Sequence, residues 1–269
     1  MNYNFKKNLS KIGLYILQIF LSLVFLFPLI WMVESSFKPE NQIFKDMGSL
    51  KTFLITTFTL SNYQEMLSRI PFFRYVLNSI AYVFIIAITG IVVNSLCGYA
   101  LARLRFPGYK IVLTIIISLY ILPFETVLLP LYLISNKLGM VNHFSALYLP
   151  FIADCFNIFL FRQFFMNIPK ELEEAAYIDG ASPLKTFIKI IIPNSKPIIA
   201  TSAVLTIVGH WGDFLWPLIV TTDDSIRTVQ VGIQFFFTDP PIHYGTIMAA
   251  LTLTTLPMII VFLFLQKYY

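Results

Sequence analysis

Six apolar stretches, separated by more polar segments, organise this chain. They cover residues 12–33, 75–102, 111–134, 144–161, 198–220 and 247–265. A helix needs about 20 mainly apolar residues to cross a bilayer, so each stretch is interpreted as one crossing. The second stretch exceeds a perpendicular crossing, and we expect it to tilt or to extend into the cytoplasm. The pattern predicts a single all-α transmembrane domain of six spans over residues 1–269.

A charged segment at residues 169–197 interrupts this pattern and predicts two short helices joined by a tight turn. Gly180 supplies the left-handed residue that ends the first helix. Ser182 can then cap a second helix, which Pro183 opens and Pro193 stops. We therefore expect a helical hairpin that lies in water.

Small residues mark the first helix of this hairpin. Ala175 and Ala176 allow its backbone to approach a partner surface closely. Three carboxylates surround this patch: Glu171, Glu173 and Glu174. A small apolar patch inside a ring of charge suits a socket on another subunit, so the hairpin is predicted to be a docking element.

The composition agrees with a membrane protein. Hydrophobic residues make up 57% of the chain, charged residues 12%, and the mean hydropathy is +0.76. Average soluble domains carry about 25% charged residues, which excludes a water-soluble globule. The first apolar stretch is longer than a signal-peptide core, and residues 31–34 offer no small-residue cleavage site, so we expect it to remain as an anchor.

The distribution of Lys and Arg predicts the orientation. With the N-terminus inside, 12 of the 19 Lys and Arg residues lie on the cytoplasmic side, among them Lys6, Lys7 and Lys267. Cytoplasmic loops carry an excess of these residues, so both termini and the hairpin are predicted to be cytoplasmic. A basic inner face against anionic membrane lipid accounts for the net charge of +5, and no nucleic-acid partner is implied.

The hairpin carries Glu174-Ala175-Ala176, then Gly180, and closes on the pair Ile192-Pro193. This pattern resembles the EAA loop of permease subunits of binding-protein-dependent ABC importers. In that family the loop docks into a cleft of a cytoplasmic ATPase. The resemblance carries this coupling role to Glu174, Ala175, Ala176, Asp179 and Gly180.

Residues 98–108, 211–218 and 227–232 extend the resemblance to the carbohydrate-uptake branch, in particular its maltose-permease type. Gly212, where the family often has Asn, and Glu125 depart from the family pattern. The resemblance implies a six-helix permease in a bacterial or archaeal cytoplasmic membrane that carries a carbohydrate, specifically an oligosaccharide. It implies a second homologous permease, two ATPase subunits and an extracytoplasmic solute-binding protein. ATP and Mg would be bound by the partner ATPase, and this chain would hold no cofactor.

Polar residues inside the apolar stretches predict a substrate cavity. A charge at the bilayer centre costs about 2.5 to 3.5 kcal/mol on insertion scales, so such residues should face protein or water. Helical spacing aligns Asp154 with Asn157. It also aligns His210, by itself expected to be structural, with Asp213 and Trp216. Carboxylate, amide and indole groups suit the hydroxyls and the apolar face of a sugar. The candidates are Glu125, Asp154, Asn157, Asp213 and Trp216; pairing that only holds the bundle together stays an open alternative.

Several chemistries are not indicated by the sequence. A Gly-x-x-x-x-Gly-Lys-Ser/Thr loop for ATP phosphates does not occur. His143, His210 and His243 lack the spacing of a metal site. Cys97 and Cys155 fall inside predicted spans, where a disulfide is not expected. We therefore predict a transport subunit rather than an enzyme.

Two other classes stay open from the sequence. A secondary transporter would use Glu125, Asp154 or Asp213 as a proton or sodium site and would work without an ATPase. An intramembrane enzyme would need a catalytic group set, and the sequence offers no convincing one. Within the importer class, the motifs do not separate a carbohydrate from glycerol phosphate or another non-sugar solute.

Overall fold

A computed structural model describes the backbone of residues 2–266 and the side chains of this range except those at 2–10, 50 and 265. Every regular element of this range is helical, which confirms the predicted all-α class. Lys267 and the side chains of Lys6 and Lys7, which enter the orientation argument, lie outside the described part.

Helices follow the apolar stretches and also fill the polar segments between them. The bounds are α1 Asn2–Ser36, α2 Glu40–Asp46, α3 Ser61–Arg69, α4 Phe72–Arg103, α5 Tyr109–Tyr120, α6 Phe124–Lys137, α7 Phe144–Tyr148, α8 Cys155–Met166, α9 Glu171–Ile178, α10 Pro183–Thr186, α11 Lys196–Trp211, α12 Leu215–Val220, α13 Val229–Thr238 and α14 Tyr244–Leu265. Shorter helical segments are 3-10 turns at Leu50–Phe53, Leu149–Phe151 and Pro193–Ser195, and a π-helical turn at Phe187–Ile191.

Three helices within residues 2–266 are individually long and apolar enough to cross a bilayer: Lys11–Ser36, Phe72–Arg103 and Tyr244–Phe264. Three bent pairs pass the same test jointly, with bends of 106° between α5 and α6, 42° between Phe144–Phe151 and α8, and 45° between Pro183–Ile191 and Pro193–Trp211. Pro123 lies at the 106° break, two residues before Glu125. Six crossings require that each bent pair form one span, and that count stays a prediction.

The described helices form two compact units. The first comprises the chain up to Pro71 together with Ile233–Leu256, and the second comprises Phe72–Gly232 and the chain from Pro257. In the first unit, side chains 11–30 of α1 are all exposed, although the segment is strongly apolar. Such a helix needs a lipid or protein surface to cover it. One domain over residues 1–269 stays a prediction.

Charged groups tie the polar segments of the first unit together. Lys38 is buried; its ammonium donates to the carbonyls of Lys51 and Thr52 and lies 3.8 Å from Asp46. Glu65 accepts from His243 at 2.9 Å. Burial alone would raise the pKa of the Glu65 carboxyl, but hydrogen bonds from His243 and a neighbouring threonine lower it below its usual value.

In the second unit, α4 packs closely against α8. Gly98 permits this approach, because a Cβ there would lie 2.7 Å from the Phe161 Cβ and 2.9 Å from the Arg162 backbone nitrogen. An aromatic and aliphatic core then continues from the end of α4 to the hairpin. Its buried members are Tyr99, Phe161, Phe165, Ile168, Phe187, Ile191 and Ile198.

Gly98→Val is therefore expected to destabilise the second unit, because the added atoms overlap the backbone of α8. Overpacking of this kind costs about 1–3 kcal/mol, and we expect a lower thermal midpoint and less monodisperse protein in mild detergent. Gly13→Val is the matched control, since Gly13 is also a glycine in an apolar helix and has no atom within 4 Å of the added Cβ. Equal midpoints for the two variants would contradict the close packing at Gly98.

Candidate functional site

A cavity of about 520 Å³ lies in the second unit, between α4, α8 and α11. Aromatic rings form much of its wall: Tyr120, Phe124, Phe151 and Phe156. Polar side chains share the same wall: Asn94, Asp154, Asn157, Thr206, His210 and Asp213. Among the described residues that line this cavity there is no Lys or Arg. The cavity thus offers apolar ring faces, hydrogen-bonding groups and negative charge.

Asp154 organises one side of the cavity from the N-cap position of α8. Its Oδ1 accepts from the backbone nitrogen and the side-chain amide of Asn157 at 2.7 and 2.8 Å. Its own backbone N–H donates to the Asn94 amide oxygen at 2.9 Å. Asn157 is 5% exposed, and its Oδ1 has no partner among the described residues. An acceptor this deeply buried cannot be reached by a solute unless the cavity wall rearranges.

Tyr82 connects the polar groups on the opposite side. Its hydroxyl donates to Asp213 Oδ2 at 3.1 Å and lies 3.1 Å from His210 Nδ1. Tyr82 itself is buried. His210 is also 5.3 Å from the Phe151 ring, measured between ring centroids. The arrangement holds Asp213 in place at the cavity wall.

The structure corrects the expectation that His210, Asp213 and Trp216 share one helical face. α11 ends at Trp211, and α12 begins only at Leu215, so helical spacing does not apply across residues 212–214. Asp213 reaches the cavity because the helix is interrupted there. Asp154 also lies at an interruption, just before α8.

Three of the five predicted cavity residues line the cavity, namely Asp154, Asn157 and Asp213. Glu125 lies exposed in the first turn of α6 and does not line it. Trp216 is fully buried, and its Nε1 donates to the Ala146 carbonyl at 2.9 Å. Its ring therefore packs behind the wall, where it meets Phe151 at 5.7 Å between centroids.

Asn94, Thr206 and Tyr82 complete the polar lining and its support, and the sequence analysis did not select them. Asn94 is the easiest of the three to select from the sequence, since it is an amide in the middle of the apolar run of α4. Thr206 lies 3.4 Å from the Asn157 amide nitrogen. Tyr82 carries no signal in the sequence, because tyrosines are common in apolar stretches and its partners are distant in the chain.

The hairpin has the predicted turn chemistry. α9 ends at Ile178, and Gly180 adopts φ +76° with open space around it. The Ala181 backbone nitrogen then donates to the Ala176 carbonyl at 2.9 Å, which closes the end of α9. Ser182 caps α10 by accepting from the Lys185 backbone nitrogen, and Pro183 opens that helix. These local predictions are confirmed.

Helix α9 has one exposed face and one buried face, rather than the expected ring of charge around the alanines. Glu174, Ala175, Asp179 and Gly180 are exposed, whereas Ala176 is 7% exposed. Glu173 is buried against Arg103 of α4 and does not surround the alanine patch, which corrects that expectation. A groove of about 340 Å³ runs along the hairpin and includes Ala175, Ala176, Asp179 and Lys185. The hairpin therefore has an outer face with small and acidic residues and an inner face fixed to α4.

Comparison with known proteins identifies the family. Residues 90–269 match the family described as binding-protein-dependent transport system inner membrane component. The chain belongs to this family. It is therefore an inner-membrane permease subunit, and the prediction of an ABC importer permease is confirmed. Membership of this family favours an ATP-driven system over the secondary transporter and the intramembrane enzyme.

Individual relatives match most or nearly all of the chain. The trehalose/maltose transport system permease protein MalG of Thermococcus litoralis is 36% identical over 265 residues, which cover 97% of this chain and 94% of the relative. The sn-glycerol-3-phosphate transport system permease protein UgpE of Shigella flexneri is 36% identical over 199 residues, covering 73% and 71% of the two chains.

A solved structure supports the fold of this permease. It is the crystal structure of a bacterial ABC transporter involved in the import of the acidic polysaccharide alginate, with a TM-score of 0.83 and 23% identity. The match covers 100% of this chain and 99% of that chain. At this identity the likeness concerns the fold alone.

Proposed function

We propose that this permease carries an uncharged carbohydrate, an oligosaccharide, through an ATP-driven importer. The observation that carries the proposal is the lining of the cavity, where aromatic rings alternate with carboxylate and amide groups. Sugar hydroxyls need directional acceptors, and the apolar face of a pyranose packs on aromatic rings. Asp154 and Asp213 supply acceptors, and Tyr120 and Phe156 supply rings. The trehalose/maltose relative is named for such a solute.

Glycerol phosphate is the second candidate, because one relative is named for its transport. A phosphate group in this cavity would face the carboxylates of Asp154 and Asp213. Like charges repel, and the described lining holds no Lys or Arg to compensate. The chemistry of this cavity therefore favours a neutral solute.

Assembly with other subunits follows from the family and from the hairpin. The family name includes a binding protein, and an ABC importer requires an ATPase. We infer a second homologous permease, two ATPase subunits that bind ATP and Mg, and cytoplasmic termini. In this arrangement the exposed Glu174, Ala175, Asp179 and Gly180 form the docking surface for the ATPase, and the buried Ala176 lines the groove beside them. ATP binding would close the ATPases and turn the cavity outward through the hairpin, and hydrolysis would reset it.

Uptake by the reconstituted complex tests the solute class. Proteoliposomes that contain the permease, its partners and ATP are expected to accumulate radiolabelled maltose, trehalose or an arabino-oligosaccharide in the presence of the cognate binding protein. sn-Glycerol 3-phosphate should not accumulate above the level without ATP. Accumulation of glycerol phosphate alone would overturn the carbohydrate proposal, and uptake without any ATPase would overturn the importer proposal.

Asp213→Asn is expected to weaken uptake while the protein still inserts. The change keeps the size of the side chain but removes a charged hydrogen-bond acceptor, which contributes about 1.5–3 kcal/mol, roughly 10- to 100-fold in apparent affinity. Glu125→Gln is the matched control, because it removes a carboxylate that lies outside the cavity. The measurement is the dependence of uptake rate on solute concentration. Identical curves for Asp213→Asn and the parent would assign Asp213 to packing.

Gly180→Asp is expected to release the ATPase while the helices stay folded. A side chain at a positive φ costs about 1 kcal/mol, and the carboxylate adds charge at the docking surface. Gly180→Asn separates the two effects, since Asn tolerates this backbone conformation and adds no charge. Gly108→Asp is the positional control, with φ +84° and open space. The readout is ATPase retained on immobilised permease; retention at the parent level for Gly180→Asp would refute this docking surface.

A further inference from the structure

A buried ion pair joins the inner face of the hairpin to the end of α4. Glu173 is 4% exposed, and both of its carboxylate oxygens accept hydrogen bonds. Arg103 Nε donates to Oε1, and the Tyr99 hydroxyl donates to Oε2 at 3.2 Å. Arg103 Nη2 also donates to the Ile168 carbonyl at 2.6 Å. The carboxylate and the guanidinium are thus held by groups from α4, α9 and the segment between α8 and α9.

Such a pair is suited to fixing geometry. Burial of two charges costs hydration, so a buried ion pair is a weak source of net stability. The planar guanidinium, however, directs its hydrogen bonds along fixed lines, which restricts how its partner can lie. Glu171 and Glu174 are exposed on the same short helix. Glu173 alone among these three glutamates is tied to α4.

Packing around the pair opposes sliding between the hairpin and α4. The Tyr99 ring lies 5.1 Å from the Phe187 ring and 6.3 Å from the Phe165 ring, between centroids. Phe187 belongs to the second half of the hairpin, whereas Glu173 belongs to the first. Tyr99 therefore contacts both halves, and the close approach at Gly98 fixes the same end of α4 against α8.

α4 connects this pair to the cavity. Asn94, nine residues before Arg103, accepts from the Asp154 backbone at the cavity wall. Nine residues of α-helix span about 14 Å. Gly90 and Ile86, on the same helix, also line the cavity. A displacement of Glu173 by its ATPase would therefore reach the cavity through one continuous helix.

We propose that Glu173, Arg103 and Tyr99 are positioning residues that transmit movement of the hairpin to α4 and so to the cavity. The inference rests on the proposed function, in which the outer face of the hairpin docks the ATPase. Docking and transmission then belong to different faces of α9. The exposed face holds the ATPase, and the buried face moves α4.

Accessibility of the cavity tests the inference without a transported solute. The assembled complex carries Cys97→Ser, Cys155→Ser and the reporter Thr206→Cys, a cavity position. MgATP with vanadate is added outside the proteoliposomes, together with an impermeant maleimide. Both reagents reach only the complexes whose ATPase subunits face the outside of the vesicle. Trapping should close the cavity to the maleimide and slow labelling of the reporter about tenfold.

Arg103→Gln in this background is expected to abolish the nucleotide-dependent change while ATPase retention stays within about twofold of the parent. Arg105→Gln is the matched control, because Arg105 is an exposed residue just beyond α4 and loses the same charge. The exchanged pair Arg103→Glu with Glu173→Arg should recover a response that neither single reversal shows. If the single variants fail to insert, the response of this double variant still tests the inference.

Each outcome bears on one claim. A parent-like response in Arg103→Gln overturns the inference and leaves the proposed function intact. Loss of the response together with loss of the ATPase also overturns it, because the pair then serves docking. Failure of the exchanged pair to recover any response overturns it as well. A parent complex whose reporter ignores nucleotide would instead refute the proposed function.

Discussion

Backbone hydrogen bonding away from water is the constraint on which the second unit depends. In a bilayer core an unpaired backbone group is costly, so an interrupted helix needs side chains to replace the missing bonds. Before α8, the Asp154 N–H donates to Asn94, and the Asp154 carboxylate accepts from the first turn. After α11, the Gln230 amide donates to the Trp211 carbonyl at 3.1 Å. At both of these interruptions, polar side chains bond the backbone groups that the helix leaves free.

The same constraint explains where the cavity lies. Side chains that satisfy an interrupted helix must be polar, and they collect where the interruptions of neighbouring helices meet. Asp154 and Asp213 lie at two such interruptions, and Asn94 of the unbroken α4 lines the same cavity. Carboxylates and amides with spare acceptor capacity remain available there to a solute. The residue types that satisfy the interrupted helices are therefore the same types that the proposed carbohydrate site needs.

The sequence predicts features that depend on neighbours in the chain and misses those that depend on distant contacts. Gly180 and Ser182 have the conformation and cap that their local chemistry demands. In contrast, Glu171, Glu173 and Glu174 look equivalent in the sequence, and only the position of Arg103 seventy residues earlier makes one of them internal. Pro217 lies in the first turn of α12 and is compatible with a helix that starts there, yet Asp213 and Trp216 were assigned to one continuous helix. Asp213 could be proposed from its charge in an apolar stretch, whereas its contact with Tyr82 could not.

The two faces of α9 also differ in how strongly salt screens their charges. Charges on the outer face, such as Glu174 and Asp179, are exposed, so salt screens them over about 8 Å at physiological ionic strength. The Arg103–Glu173 pair is buried, so salt reaches it far less. Ionic strength should therefore act on docking and leave the link to α4 nearly unchanged. The two-turn helix α9 thus has one face whose charges are open to salt and one face whose charged group is shielded from it.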